Sequence, residues 1–212
     1  MQLEQIYTHI DHTVLKQTTT WAQVQKLCDE AIQGKAASVC IPPCYVAKAK
    51  EYTNGEMPIC TVIGFPNGYQ TTMVKLVETK EALANGADEI DMVINLCDVK
   101  NGEWDKVSHE IKALKHACGN RVLKVIVETC YLTEEEKVRL CQIVTEAKAD
   151  YIKTSTGFGS AGATVEDITL FRKECGSDVK IKAAGGIRTV EDAENMLSAG
   201  ADRLGSSALL AR

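Results

Sequence analysis

The chain has 212 residues, 45% hydrophobic and 25% charged, enough to bury a substantial core in one domain or two small ones. Lys and Arg total 24 against 29 Asp and Glu, a net charge of -5 with no basic block, which disfavours a nucleic acid or an anionic membrane surface as partner and points to a small ligand. No apolar run approaches the roughly 20 residues of a membrane helix, and Met1-Gln2-Leu3-Glu4-Gln5 has no basic stretch leading into an apolar one, so a cytoplasmic protein is expected.

In chain order, candidate strands recur at residues 9–15, 38–42, 58–65, 89–95, 122–128, 151–155, 178–183 and 202–206. They are rich in Val and Ile and read as apolar on both faces, as strands of a parallel sheet covered on both sides should be. The segments between them carry helix punctuation. Thr20 with Gln23 and Thr133 with Glu136 have the spacing of a capping box, and Thr164 and Thr189 are placed as N-caps. Asn85-Gly86-Ala87-Asp88, Lys148-Ala149-Asp150 and Ala199-Gly200-Ala201-Asp202 each close a helix and lead into a strand, a weak internal repeat. Eight such units leave about 26 residues each, short but sufficient for a strand, a helix and two tight loops. The expected fold is α/β, a single-domain (β/α)8 TIM barrel over residues 1–212. An open doubly wound sheet is the alternative; Gly157-Phe158-Gly159-Ser160-Ala161-Gly162 fits the letters of a dinucleotide fingerprint, but no acidic strand-end partner follows about 20 residues on.

Three strand-like runs carry misplaced charges: Asp91 in Glu89-Ile90-Asp91-Met92-Val93, Lys153 in Tyr151-Ile152-Lys153-Thr154, and Lys182 in Lys180-Ile181-Lys182-Ala183. Period-two alternation puts Lys153 on the same buried-type face as Tyr151. A barrel brings strand ends together at one mouth, so the three point to one site. A lysine attacks a carbonyl only when neutral, and with an ordinary pKa of about 10.4 fewer than roughly one in a thousand is neutral at pH 7. A second ammonium about 6 Å away at an effective dielectric of about 20 repels it by nearly 3 kcal/mol, or about two pKa units. The aspartate would then pass protons to and from a hydroxyl. A single lysine on a strand is more often a solvated edge residue, and Lys124 and Lys180 are read that way. Asp91 alone could be a strand-end cap.

Small residues follow the last two strands in Ala184-Gly185-Gly186-Ile187 and Leu204-Gly205-Ser206-Ser207-Ala208, where barrels of this kind often hold a phosphate. Taken singly, such glycines are ordinary turn residues. The nine cysteines are mostly flanked by apolar residues and form no C-x-x-C or Cys/His cluster, so they read as reduced core thiols, with no metal or other cofactor implied. His109 and His116 read as solvated helix residues.

An ordered set of stretches runs along almost the whole chain: Asp11-His12-Thr13-Val14-Leu15, Ser38-Val39-Cys40-Ile41-Pro42, Val62-Ile63-Gly64-Phe65-Pro66, Glu89-Ile90-Asp91-Met92-Val93, Tyr151 to Phe158, Lys182 to Arg188, and Gly205-Ser206-Ser207. In these the sequence resembles the deoxyribose-phosphate aldolases, class I aldolases with a (β/α) barrel fold. The resemblance implies a Schiff base on Lys153, tuned by Lys182, with Asp91 in proton transfer and no cofactor. It also implies substrate and phosphate contacts at Gly185, Gly186, Gly205, Ser207, Thr156, Asp11 and Thr13. The implied reaction is reversible cleavage of 2-deoxy-D-ribose 5-phosphate into acetaldehyde and D-glyceraldehyde 3-phosphate. The partner is thus a small sugar phosphate, with a homodimer left open. Two departures stand out. Some relatives end in a tyrosine-bearing tail that assists proton transfer, whereas this sequence ends Leu210-Ala211-Arg212; and some have a lysine where Phe158 stands, leaving only backbone to contact phosphate there. Cys40 reads as a core thiol, with the alternative that it lies near enough to the mouth to add to an unsaturated aldehyde. Competing functions are another Schiff-base or transaldolase-like aldolase, which the order of the motifs disfavours, and a catalytically silent sugar-phosphate sensor, which would have no need of the lysine pair.

Overall fold

The computed structural model describes residues 3–210. The readings that fall on the remaining residues, the start without a leader and the tail without a tyrosine, lie outside that range.

The helix-opening threonines act as their spacing predicts. The hydroxyls of Thr20, Thr133, Thr164 and Thr189 accept from the amides of Gln23, Glu136, Asp167 and Asp192, and full capping boxes form at Thr20, Thr133 and Thr189. Each such cap contributes about 1 kcal/mol. The helices are α1 (Leu3–Tyr7), α2 (Trp21–Gly34), α3 (Val46–Thr53), α4 (Thr72–Ala84), α5 (Leu96–Lys100), α6 (Trp104–Cys118), α7 (Glu134–Glu146), α8 (Val165–Glu174) and α9 (Val190–Ser198).

Between them run β1 (Ile10–Thr13), β2 (Ser38–Ile41), β3 (Ile59–Ile63), β4 (Glu89–Val93), β5 (Val122–Ile126), β6 (Tyr151–Lys153), β7 (Lys180–Ala184) and β8 (Arg203–Ser206). Each strand pairs in parallel with the next, and β1 pairs with β8, closing an eight-stranded barrel. The first six strands end a residue or two short of the runs that announce them, because those runs continue into the loops at the mouth, whereas β7 runs one residue past its expected end and β8 stops where expected.

The weak repeat has a physical cause. Asp88, Asp150 and Asp202 precede β4, β6 and β8, and their carboxylates accept from the amides of Ile59, Leu123 and Ile181 at 3.0, 2.8 and 2.8 Å. Each thus stitches the start of one strand to the start of its neighbour. Each also binds a helix or loop cation, Lys50 and Arg121, Lys115, or Arg172.

The main apolar core lies outside the barrel, where Val39, Ile90, Leu123 and Ile181 meet helix residues such as Leu27, Ile111 and Phe171. The inner face corrects the expectation of strands apolar on both sides. Its one apolar cluster is Cys40, Cys60 and Val62, with Leu15 and Phe65 beside it. The rest of the interior carries polar and charged side chains, affordable there only because opposite charges meet.

Candidate active site

On strands that alternate inward and outward, Asp11 of β1, Glu89 and Asp91 of β4, Lys124 of β5, Tyr151 and Lys153 of β6, Lys182 of β7 and Arg203 of β8 all turn into the barrel. The register sets Asp91 beside Lys124, Lys153 beside Lys182, and Lys182 beside Arg203. Asp91 is the hub. Its Oδ2 accepts from Lys153 Nζ and Lys182 Nζ, both at 2.7 Å, and its Oδ1 from Lys124 Nζ at 2.8 Å and the Cys60 thiol at 3.1 Å. Lys182 also binds Asp11, whose other oxygen takes Arg203 at 2.6 Å and Ser38 at 2.7 Å. Lys124 completes the ring through Glu89 at 2.5 Å.

Burial opposes the charges on Asp11, Asp91, Lys124 and Lys182, but the partners prevail. Lys124, Lys153 and Lys182 hold Asp91 well below the usual carboxylate range, and Lys182, Lys124 and Arg203 do the same for Asp11. Asp11 and Asp91 in turn raise Lys182, and Asp91 leads the groups that raise Lys124. Asp91 is therefore an ionised acceptor at neutral pH, and Lys182 a charged donor.

Lys124 overturns its reading as a solvated edge residue: it is wholly buried and bonded to Asp91 and Glu89. Lys180 is exposed, as read, with its ammonium 5.8 Å from the centre of the Tyr151 ring. His109 and His116 are exposed too.

A cavity of about 390 Å³ opens at the carboxyl ends of the strands. Of the cluster only Lys153 lines it, joined by Thr13, Thr156, Gly185, Gly186, Gly205 and Ser207. Gly185 and Gly186 have φ of +83° and +82°, a left-handed pair that any side chain would strain. Lys16 and Arg188 are the other cations in the lining, and no carboxylate is among it. This cavity suits an anion beside an amine. A larger hollow of about 630 Å³ lies along α7, but it is lined from that helix and its cap alone and gathers nothing from the rest of the chain.

Two residues predicted to touch substrate have protein partners in this structure. Asp11 is fully buried behind Lys182 and does not line the cavity, because its carboxylate serves as counter-ion to Lys182 and Arg203. Thr156 lines the cavity, but its hydroxyl donates to Glu128 and accepts from the Phe158 amide. Cys40 is buried among Cys60 and Val62, and every cysteine is free. Cys40, Cys60 and Asp91 converge closely enough to hold a metal ion, as do Asp11, Cys60 and Glu89. The carboxylates of both groups already accept from lysines or Arg203, so an ion would have to displace an ammonium.

A family model described as DeoC/LacD family aldolase matches residues 6–212. The chain belongs to this aldolase family. A Clostridium botulinum (strain Alaska E43 / Type E3) protein named deoxyribose-phosphate aldolase is 58% identical over 207 residues, covering 98% of this chain and 94% of that one. The protein of that name from Clostridioides difficile (strain 630) is 56% identical with the same coverage. A solved deoxyribose phosphate aldolase from Aeropyrum pernix, described as tetrameric, has a TM-score of 0.91 at 30% identity, covering 99% of this chain and 89% of that chain. The DeoC/LacD chain is thus an enzyme, a carbon-carbon lyase of the aldolase type, and the resemblance read from its motifs holds. No helix of the described residues is long and apolar enough to cross a membrane.

Sequence reasoning missed Lys124, Glu89 and Arg203 as members of the cluster in this aldolase. Lys124 had a usable signal: Leu123-Lys124-Val125 repeats the pattern of Ile152-Lys153-Thr154, a charge set between outward residues of an interior strand.

Proposed function

We propose that the enzyme reversibly cleaves 2-deoxy-D-ribose 5-phosphate to acetaldehyde and D-glyceraldehyde 3-phosphate through a Schiff base on Lys153, in deoxyribonucleoside breakdown. The observation that carries this reading is that Lys153 is the one cavity-lining member of a cluster in which four cations, Lys124, Lys153, Lys182 and Arg203, meet three carboxylates, Asp11, Glu89 and Asp91. One positive charge is surplus in a buried space, and the cost of keeping it falls when one ammonium loses its proton. Lys182 pairs with two carboxylates and Lys124 with three, whereas Lys153 binds Asp91 alone. Lys153 is therefore the member that becomes the neutral nucleophile.

In the cleavage direction its amine adds to the C1 aldehyde, and loss of water gives an iminium. A base takes the proton of the C3 hydroxyl, the C2–C3 bond breaks, and glyceraldehyde 3-phosphate departs, leaving an enamine on Lys153. Protonation at C2 and hydrolysis release acetaldehyde and restore the amine. Asp91 is fully buried, so it exchanges protons with the substrate through Lys153, Lys182 or a water. The electropositive lining, which Gly185, Gly186, Gly205 and Ser207 share with Lys153, supports a phosphate at the far end of the substrate. Nine free thiols support a reducing, cytoplasmic setting, and an assembly of at least a homodimer is proposed by analogy with the relative described as tetrameric.

Borohydride reduction with acetaldehyde, followed by peptide mass mapping, should add a two-carbon group at Lys153. A label confined to Lys182, or none, would overturn the assignment, and a rate abolished by chelators would move the chemistry to a metal-dependent class.

A further inference from the structure

Glu128 is nine-tenths buried, with 3% of its surface exposed, yet it forms no ion pair among the described residues. Among the described residues it is also one of four non-glycines with positive φ, at +53° and ψ +68°. The other three, Lys35, Asn54 and Lys148, sit at helix ends far from the mouth. Glu128 instead follows β5 at the mouth. Its neighbours explain the conformation: Val127 N–H donates to Lys153 O at 3.0 Å and Thr129 N–H to Thr154 O at 2.9 Å. Two residues of the β5 side therefore advance against one of the β6 side, which is the geometry of a bulge with Glu128 as the extra residue. Bulges beside active sites re-aim a side chain, and a strained backbone of this kind costs about 1–3 kcal/mol unless its surroundings hold it.

Here the re-aimed carboxylate points at the loop after β6. Glu128 Oε1 accepts from Thr156 N–H at 3.1 Å, Oε2 accepts from the Thr156 hydroxyl, and that hydroxyl accepts from Phe158 N–H at 3.0 Å. Gly159 closes over the same group, since a Cβ there would meet Glu128 Oε1 at 3.2 Å. Thr156, Gly157 and Phe158 form one wall of the Lys153 cavity, and Thr156 is three residues from Lys153.

We infer that Glu128 is a positioning residue that sets, through Thr156, the height of the Thr156–Phe158 wall relative to Lys153 and so the fit of the phosphorylated end of the substrate. This deepens the proposed aldolase reading and rests on it. Lys153 is anchored separately by Asp91, so the nucleophile should not depend on Glu128.

The test is a cycle of Glu128→Gln, Glu128→Ala, Thr156→Val and the Glu128→Ala/Thr156→Val double variant. KM and kcat are measured on deoxyribose 5-phosphate and on deoxyribose, with borohydride trapping of acetaldehyde on Lys153 alongside. Glu128→Ala should raise KM for the phosphorylated sugar about tenfold, the scale of unpairing a buried donor. Glu128→Gln, which keeps one acceptor for the Thr156 amide and can donate to its hydroxyl, should lose far less. The double variant should be no worse than the poorer single one, because both act through one contact. Trapping at Lys153 should stay within about twofold of wild type. Losses that multiply in the double variant, or equal losses on both sugars together with lost trapping, would overturn the inference. Should Glu128→Ala not fold, Glu128→Gln against Thr156→Val carries the same comparison. A wild-type protein inactive on deoxyribose 5-phosphate would instead defeat the proposed function.

Discussion

Asp91→Asn keeps the shape of the side chain and removes one charge from the barrel interior, leaving four cations against two carboxylates. Each lysine contact that loses its charge partner lies at 2.7–2.8 Å, which at an effective dielectric of about 20 corresponds to about 6 kcal/mol of gross attraction. Relaxation and proton loss absorb much of it, and breaking a buried pair costs about 3–5 kcal/mol net. At about 2–4 °C per kcal/mol for a chain of this size, the melting temperature at pH 7 should fall by about 6–20 °C. The pH dependence carries the sharper signal. In the wild type the depressed Asp91 and Asp11 contribute stability that is present above the ordinary carboxylate range and lost as pH falls through their lower folded values. The raised Lys124 and Lys182 contribute stability present below the ordinary lysine value and lost only as pH rises through their higher ones. These four groups therefore add no pH dependence of their own between about pH 5 and 9. The variant has two surplus cations against the wild type's one, and a surplus lysine folds more readily when neutral, so its melting temperature should climb more steeply from pH 7 to 9.5 than the wild type's. Differential scanning calorimetry across that range reads both curves. An unchanged melting temperature, or a deficit identical at every pH, would refute the charge count.

Lys182→Leu restores three cations to three carboxylates, so Lys153 should keep its proton: borohydride trapping at pH 7 should fall steeply and return at alkaline pH, while turnover stays low for want of the Lys182 donor. Coincident trapping curves for the two proteins would remove Lys182 from that role. Ser207→Asp sets a carboxylate in the cavity rim and should raise KM for deoxyribose 5-phosphate far more than for deoxyribose; equal effects would mean that the loop after β8 shapes the fold only. Away from the site, the buried Lys75–Glu110 pair at 2.8 Å ties α4 to α6. Glu110→Leu alone should cost about 3–5 kcal/mol, and Lys75→Met with it should recover most of that in urea unfolding; equal costs for the single and double variants would contradict it.

The architecture was legible because helix caps, glycine-bearing helix ends and apolar runs are local signals, and the eight units they outline leave few topologies. Lys153, Lys182 and Asp91 were legible for a related reason, each being a charge in the wrong place on its own strand. What escaped was partnership. A lone strand lysine is usually solvated, and nothing local to Lys124 reveals that Glu89 and Asp91 wait on the neighbouring strand. The motif around Asp11 points to substrate, and nothing in it shows the contact with Arg203, which spans 192 residues of chain. Glu128 looked like the last residue of an ordinary strand, since a bulge depends on how β5 and β6 advance past each other.

The charges inside the barrel are divided unevenly along the chain. All three carboxylates, Asp11, Glu89 and Asp91, belong to β1–β4, and all four cations, Lys124, Lys153, Lys182 and Arg203, to β5–β8. A half-barrel made from either set of strands would turn like charges into its own concave face and resist pairing with a copy of itself. The two different halves would attract. Cut in the loop between β4 and β5, the chain should therefore reassemble as a one-to-one complex of unlike fragments, with salt weakening their encounter, and its own synthesis from the amino end must hold an acidic hollow open to water until the basic strands arrive.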